Sequence, residues 1–306
     1  MRHLLSLQDL DAKDLKHLLR EAARLKAAST RGDRPPLLAG RVLVLVFEKP
    51  SLRTRVSFEA GMAQMGGGAV FLSAVDGAMG VRESVADFAR TLNEYADAVA
   101  LRTFRHRTIE EYASHSTCPV INALSDLHHP CQALADLLTI QEEFGSVEGR
   151  TVVFVGDGNN VARSLAFGCG KLGGRFILAA PSGYGFDEPF LKECRRQRLP
   201  GEVQVNGDPR HAMEIADIVY TDVWTSMGQE AEQEARKREF APYQVNGALL
   251  SLAPSHTRFM HCLPAHRGEE VTDDVLDGER SIAFRQAGNR LHAQKALLKW
   301  LILDRK

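Results

Sequence analysis

The sequence predicts an α/β chain of two doubly wound parallel-sheet domains joined by helices. Three observations carry that expectation. Short, valine-rich apolar runs alternate with amphipathic stretches of helical period. The runs are apolar at consecutive positions, as strands buried on both faces are. The alternation restarts once near residue 150, and 306 residues suit two domains of ordinary size.

The elements follow in order. Leu15, Leu18, Leu19, Ala22 and Leu25 recur at helical spacing, so a helix with one buried face is expected over about 9–28. "RGDRPP" ends it. "RVLVLVF" (41–47) reads as a buried strand and "VSFEAGMAQMG" as a helix that stops at the Gly66–Gly68 run. Then come "AVFLS" (strand), "ESVADFARTLNEY" (helix), "ADAVALR" (strand), "IEEYASH" (helix) and "PVINAL" (strand). "CQALADLLTIQEEFG" is a longer helix, with a hinge expected in or just after 131–144. The second half repeats the wiring: "TVVFVGDG", a helix from about Val161, "RFILAAP", a helix near 188–198, "VQV", a helix near 209–216, and "DIVYTDV". "LLSLA", "RFMHCLP" and a last helix at 289–303, expected to cross back to the first half, complete the chain.

Composition excludes several classes. Thirty-eight basic and 39 acidic residues leave a formal net charge of −1, so nothing suggests a nucleic-acid or acidic-membrane partner. Cysteines stand at 118, 131, 169, 194 and 262, an odd number without a C-x-x-C pair. That reads as a reduced, cytoplasmic protein. No apolar run approaches the roughly 20 residues a membrane span needs. The opening "MRHLLSLQDLDAKDL" lacks the unbroken apolar core of a secretory signal.

Five clusters of polar residues interrupt this framework. In "VFEKPSLRTRVSFE" a strand hands over to a helix through Ser51, Arg53, Thr54 and Arg55. A helix N-terminus leaves backbone N–H groups unpaired and carries partial positive charge, which suits phosphate. Hydroxyls and a guanidinium fork would add donors for phosphate oxygens. The competing account makes Ser51 an ordinary cap and Arg55 a surface charge. In "DLHHPCQALAD", His128, His129, Cys131 and Gln132 sit where a loop enters a helix. Adjacent histidines before a proline are not a zinc-ligand spacing, which disfavours a metal there. Polarisation of a carbonyl by His129 and Gln132, or a purely structural loop, remain.

"VGDGNNVARSL" fails the dinucleotide pattern G-x-G-x-x-G, because the third position is Val161. No acidic residue closes the next strand, which runs into Pro181. Asn159 and Asn160 at the helix start can still receive a carboxylate. "TDVWTSMGQE" places Asp222, Ser226 and Met227 in a loop after a strand, with an ordinary polar loop as the plain account. "HCLPAHRGEEV" puts Cys262 at the C-terminal end of a strand, the edge where open α/β sheets bind ligands. A buried thiol is the commoner fate of such a cysteine.

Taken together, "SLRTR", "HPCQ", "DVWTSMG" and "HCLP", in that order along the whole chain, resemble the ornithine carbamoyltransferases. The aspartate-using relatives carry a proline in place of Cys262 and lack the S-M-G loop. The resemblance implies transfer of a carbamoyl group from carbamoyl phosphate to the side-chain amine of L-ornithine, without a cofactor or metal. It implies a carbamoyl phosphate-binding domain over 1–140, onto which 289–306 packs back, and an ornithine-binding domain over 141–288. Carbamoyl phosphate would be held by Ser51, Leu52 (through its backbone), Arg53, Thr54, Arg102, His129, Gln132, Cys262, Leu263 and Arg290. Of these, Arg102, His129 and Cys262 would be catalytic. Asn160, Asp222, Ser226 and Met227 would take the amino-acid head of ornithine. The implied unit is a homotrimer or a multiple of trimers with shared sites. Similar enzymes offer a Gln or His from a neighbouring subunit. Aligned through "MGVRES", that position is Ala78 here, and Arg82 is the candidate to supply the missing donor in trans.

The expected chemistry is direct attack of a neutral amine on a carbonyl carbon, with phosphate leaving. Juxtaposing two bound substrates can supply up to ~7–11 kcal/mol of the barrier. An alkyl amine with a pKa near 10.4 is neutral in only roughly one part in a few thousand at pH 7, so desolvation in the site has to raise that share.

Overall fold

The structure, a computed structural model, describes residues 2–76, 79–226 and 228–304. The chain divides into two compact units: Met1–Leu138 with Gly288–Lys306, and Thr139–Ala287.

In the first unit a 3-10 turn, Leu7–Asp9, precedes α1, Ala12–Thr30. The periodicity expects one helix from about 9, but Leu10 is extended and Asp11 caps a fresh start by accepting from the Asp14 N–H. Leu15, Leu18, Leu19, Ala22, Leu25 and Ala28 of α1 are buried. Each leucine so removed from water contributes roughly 1.5–3 kcal/mol. The unit continues through β1 (Val42–Phe47), α2 (Leu52–Gln64), β2 (Gly68–Leu72), α3 (Val85–Asn93), β3 (Ala98–Arg102), α4 (His106–His115) and β4 (Val120–Leu124).

These strands form one parallel sheet in the order β2-β1-β3-β4. The chain therefore leaves β1 toward one edge and returns to β3 on its other side. That is a topological switch point, where side chains beyond the strand ends face an open crevice. The Glu48 N–H donates to the Arg102 carbonyl at 2.8 Å, which ties the two strand ends together there. Leu4 adds a parallel bridge to Ile121 on the outer strand.

α5, Pro130–Phe144, runs from the first unit into the second. The second unit holds β5 (Thr151–Val155), α6 (Asn160–Lys171), β6 (Arg175–Ala179), α7 (Glu188–Arg196), β7 (Glu202–Asn206), α8 (Pro209–Met213), β8 (Ile218–Thr221), α9 (Gln233–Phe240), α10 (Gly247–Leu250), β9 (Arg258–His261) and α11 (Asp273–Leu276). It also holds the start of α12, Ala283–Ile302. The sheet is again parallel, in the order β7-β6-β5-β8-β9, with its switch between β5 and β8. Thr221 Oγ1 donates to the Val155 carbonyl at 2.7 Å across that switch. Each unit has its own apolar cluster, centred on Val99, Leu101, Ile109 and Val120 in one and on Val153, Val219, Phe259 and Val275 in the other.

Three elements differ from the sequence pattern. "LLSLA" enters α10 as a short helix, because Asn246 caps it and turns Leu249 and Leu250 into the core. α9 has almost no apolar periodicity. It is anchored by buried Arg236, which donates to Asp157 at 2.7 Å and to the Trp224 carbonyl at 3.1 Å. α12 starts six residues before the expected 289, running through Gly288. Glycine inside a helix costs about 1 kcal/mol relative to alanine. Tertiary bonds of Gln286 offset it, since its side chain accepts from the His261 N–H and donates to Tyr220 Oη. Among the described residues, no helix is long and apolar enough to cross a membrane.

Candidate active site

In the first unit the "SLRTR" stretch is the opening turn of α2, not the loop before it. Ser51 is extended and caps the helix, its Oγ accepting from the Thr54 N–H at 3.3 Å. Leu52 is the first helical residue, with its side chain 75% exposed. Only its backbone is thus presented to the helix end. Thr54 is buried and accepts from Arg290 Nη2 at 2.8 Å. Arg55 is occupied elsewhere: it pairs with Glu59 at 2.9 Å and lies 3.8 Å over the Phe71 ring. The cap and the surface-charge accounts thus hold for Ser51 and Arg55. Arg53, half-buried, points to different company.

That company is cationic. Arg102, at the end of β3, is buried, and its guanidinium is pushed down to about 10 by burial and by the charges of Arg290 and Arg53. Arg290 Nη1 donates to Gln132 Oε1 at 2.6 Å and stands 3.5 Å from His129 Nε2. His129 is held well below the usual histidine range, first by burial and then by Arg290, Arg102, Arg53 and Lys49. It is therefore a neutral imidazole. A guanidinium only donates, so Nε2 is the acceptor nitrogen and Nδ1 carries the hydrogen. Gln132 is oriented by its own helix: Nε2 donates to Asp136 Oδ1 at 2.8 Å, one turn on. Asp136 is fully buried and puts a carboxylate behind the cluster. The i, i+4 spacing of Gln132 and Asp136 could have flagged it, because such residues share a helix face.

Cys131 does not join a metal set. Burial pushes its thiol up to about 12, and Sγ donates to the Asn122 carbonyl at 3.5 Å. What remains is three guanidiniums, a helix N-terminus, two hydroxyls and a neutral imidazole at a switch point. Like charges gathered this closely repel, and an incoming dianion is the simplest way to relieve them.

In the second unit, Asp222 follows β8 and Cys262 follows β9, which are adjacent strands. Cys262 Sγ donates to Asp222 Oδ1 at 2.9 Å. Asn159, the cap of α6, accepts from the Val161 and Ala162 N–H groups and donates from Nδ2 to Asp222 Oδ2 at 2.9 Å. Both carboxylate oxygens are therefore engaged, and Val223 N–H adds a third bond at 2.8 Å. Asn160 is the first helical residue of α6, half-buried beside it. Leu263 has φ +57, a sparsely populated backbone for a branched side chain. Its N–H donates to His261 Nδ1 at 2.8 Å, and His261 in turn meets Glu270 at 3.2 Å, both fully buried. Sequence reasoning missed His261, Glu270 and Gln286, which brace the backbone on either side of Cys262.

Ser226 sits in the loop after β8, its N–H donating to Gln229 Oε1 at 3.1 Å. Met227 and Ala78 lie outside the described residues. Arg82 is on the exposed turn between the bridged residues Met79 and Glu83.

Residues 2–142 match the family described as aspartate/ornithine carbamoyltransferase, carbamoyl-P binding domain, and residues 148–301 match its Asp/Orn binding domain. The second match includes most of α12, which compactness assigns from Gly288 onward to the first unit. The chain is 50% identical over 303 residues to the ornithine carbamoyltransferase of Anoxybacillus flavithermus, covering 98% of this chain and 96% of the relative. It is 50% identical over 299 residues to the anabolic ornithine carbamoyltransferase of Pyrococcus furiosus, covering 97% of this chain and 95% of the relative. The solved structure of ornithine carbamoyltransferase from Pyrococcus furiosus is similar at a TM-score of 0.95 and 48% identity, covering 99% of this chain and 97% of that one.

Proposed function

The chain belongs to the aspartate/ornithine carbamoyltransferase family, and from that premise we propose that it carbamoylates the side-chain amine of L-ornithine, with carbamoyl phosphate as donor. The products are L-citrulline and phosphate. The observation that carries the donor half is the cluster of Arg53, Arg102 and Arg290 around neutral His129. The acceptor half rests on the Cys262 thiol bonded to Asp222, where an aspartate-using enzyme would have a proline.

The residues then divide the work. Arg53, Arg102, Arg290, Ser51, Thr54 and the N–H groups at Leu52 and Arg53 hold the phosphate and stabilise the charge it gains on leaving. Gln132 and His129 bind the carbamoyl end. Being neutral, His129 can donate from Nδ1 to the carbonyl oxygen as it becomes an oxyanion without surrendering a proton to it. Cys262 and Leu263 lie at the reacting centre, and Asp222, bonded to Cys262, reaches from there to the amino-acid head. Asn160, Ser226 and Met227 take the α-amino and α-carboxylate groups. Residues 1–140 with 289–306 serve the donor, and 141–288 serve the acceptor. Attack is direct, with no carbamoyl–Cys262 adduct.

A citrulline assay tests the reading. Product should form with ornithine, depend on carbamoyl phosphate and fail with putrescine, which has no amino-acid head. Equal rates with putrescine would overturn the assignment of the acceptor.

The working unit is a cytoplasmic homotrimer or a multiple of it, with Arg82 of one subunit reaching a neighbour's phosphate site. Val75 and Val81 near that turn are each 84% exposed, so their side chains are available to a neighbouring subunit. Arg53→Ala and Arg82→Ala should each be poorly active alone. A mixed cyclic trimer restores one intact site, about a third of the total. Co-expression should therefore recover activity that neither variant has. If verified mixed trimers stay inactive, Arg82 does not act in trans.

A further inference from the structure

Resting on the reading of His129 and Gln132 above, we propose that buried Asn122, Ser125 and His106 form a positioning device for them. The device holds the loop ahead of His129 only while His106 is neutral.

The cluster sits at the end of β4 and the start of α4, with Ser125, Asn122 and His106 buried. Ser125 closes the loop into α5 on itself. Its N–H donates to the His128 carbonyl at 2.9 Å, and its Oγ accepts from the His128 N–H at 3.2 Å. Asn122 Nδ2 donates to the Leu5 carbonyl at 2.8 Å and lies 3.2 Å from Ser125 Oγ. His106 Nδ1 is 2.9 Å from Ser125 Oγ. The His106 backbone is pinned as well, its N–H donating to Asp126 Oδ1 at 2.7 Å.

The shortest contacts select one arrangement: the second Asn122 amide hydrogen goes to Ser125 Oγ at 3.2 Å rather than to His106 Nδ1 or the His128 carbonyl, both at 3.4 Å. Ser125 Oγ already accepts from two N–H groups, those of His128 and Asn122, which use both lone pairs. Its own hydrogen goes to the nearer acceptor, His106 Nδ1 at 2.9 Å, rather than to the His128 carbonyl at 3.4 Å. His106 is then the neutral tautomer with hydrogen on Nε2. A proton on Nδ1 would give Ser125 Oγ a third donor. Either the His128 N–H or the Asn122 amide must then let go; the first frees the residue next to His129, and the second loosens β4 from the loop that carries it.

Around His106 stand Glu110 on its own helix, 3.9 Å from Nε2, Asp126 in the loop, Asp9 in the N-terminal turn, and the His128 ring edge-on at 5.0 Å between centroids. Burial outweighs these carboxylates and lowers His106 below the ordinary 6.5. Protonation is thus coupled to opening. Order in the loop is kept at high pH and lost as pH falls below that range.

The test is the pH dependence of kcat/KM for carbamoyl phosphate in the intact enzyme. His106→Asn keeps an acceptor near the Nδ1 position and cannot titrate, so the fall in kcat/KM from pH 8 to pH 5.5 should shrink at least about threefold. Ser125→Ala should raise KM for carbamoyl phosphate about tenfold or more at pH 8, with a smaller change in kcat. A folded His106→Asn enzyme with an unchanged acid limb overturns the proposal. Should the variants not fold, histidine nitrogen shifts of the wild-type protein decide it: a cationic His106 at pH 6.5 overturns the proposal, a neutral Nε2–H tautomer supports it. Wild-type protein that makes no citrulline would instead sink the activity reading, and the His106 shifts stand apart from that outcome.

Discussion

Arg53→Ala is expected to weaken carbamoyl phosphate binding by about 3–5 kcal/mol, the cost of removing one partner from a desolvated charge pair. The fold should survive. Arg53 lies half-buried on the first turn of α2, and its charge helps depress both Arg102 and His129. Deleting it relieves repulsion in the substrate-free protein, so the melting temperature should stay level or rise. Loss of affinity with gain of stability is the signature of a residue placed for a ligand. Arg53→Lys should remain poor, because a point charge cannot reproduce the two-pronged guanidinium contact. Calorimetry with carbamoyl phosphate decides the matter: near-normal affinity in Arg53→Ala would remove the phosphate assignment.

Asp222→Asn should strike the acceptor half with comparable force. The carboxylate accepts from Cys262 Sγ on one oxygen and from Asn159 Nδ2 on the other. An amide offers one oxygen and one NH2 group. Its nitrogen must then face either the thiol hydrogen or the Asn159 amide hydrogens. Leaving such a buried group mismatched costs about 1–3 kcal/mol, before any loss of charge toward the substrate is counted. The expectation is a fall of about 100-fold or more in kcat/KM for ornithine, with carbamoyl phosphate affinity retained. Cys262→Ser should show the same split more mildly, and rapid quench of the wild-type enzyme without ornithine should trap no carbamoylated protein. An Asp222→Asn enzyme with unchanged ornithine kinetics would falsify the role given to the carboxylate.

The site was legible in the sequence to differing depths. The five polar clusters stood out because each interrupts an apolar frame at the end of a strand. The register of "SLRTR" was less visible: its charged residues hide the helical pattern until Phe58, so the motif read as a strand-to-helix junction with the helical run from Val56, whereas α2 starts at Leu52. α9 was invisible for a related reason, since a buried arginine rather than an apolar stripe holds it. His106, Asn122 and Ser125 carried no signal, because a buried polar cluster has no periodicity and its members come from two separate segments.

By itself the sequence determined the α/β class, two domains, the approximate position of most strands and longer helices, and the motifs that place the chain in its family. Period and composition along the chain suffice for the first of these, and local motifs for the last. The tertiary structure alone decided the strand orders β2-β1-β3-β4 and β7-β6-β5-β8-β9. It alone decided that Thr54, Gln132, His129 and Arg290 share hydrogen bonds, and that Cys262 rests on Asp222. Pairing between strands and contact between distant side chains are non-local. They depend on which apolar faces bury each other, and no spacing along one chain encodes that directly. The protonation of His129 belongs to the same class, because its neutral state comes from burial and from four charges on three separate segments.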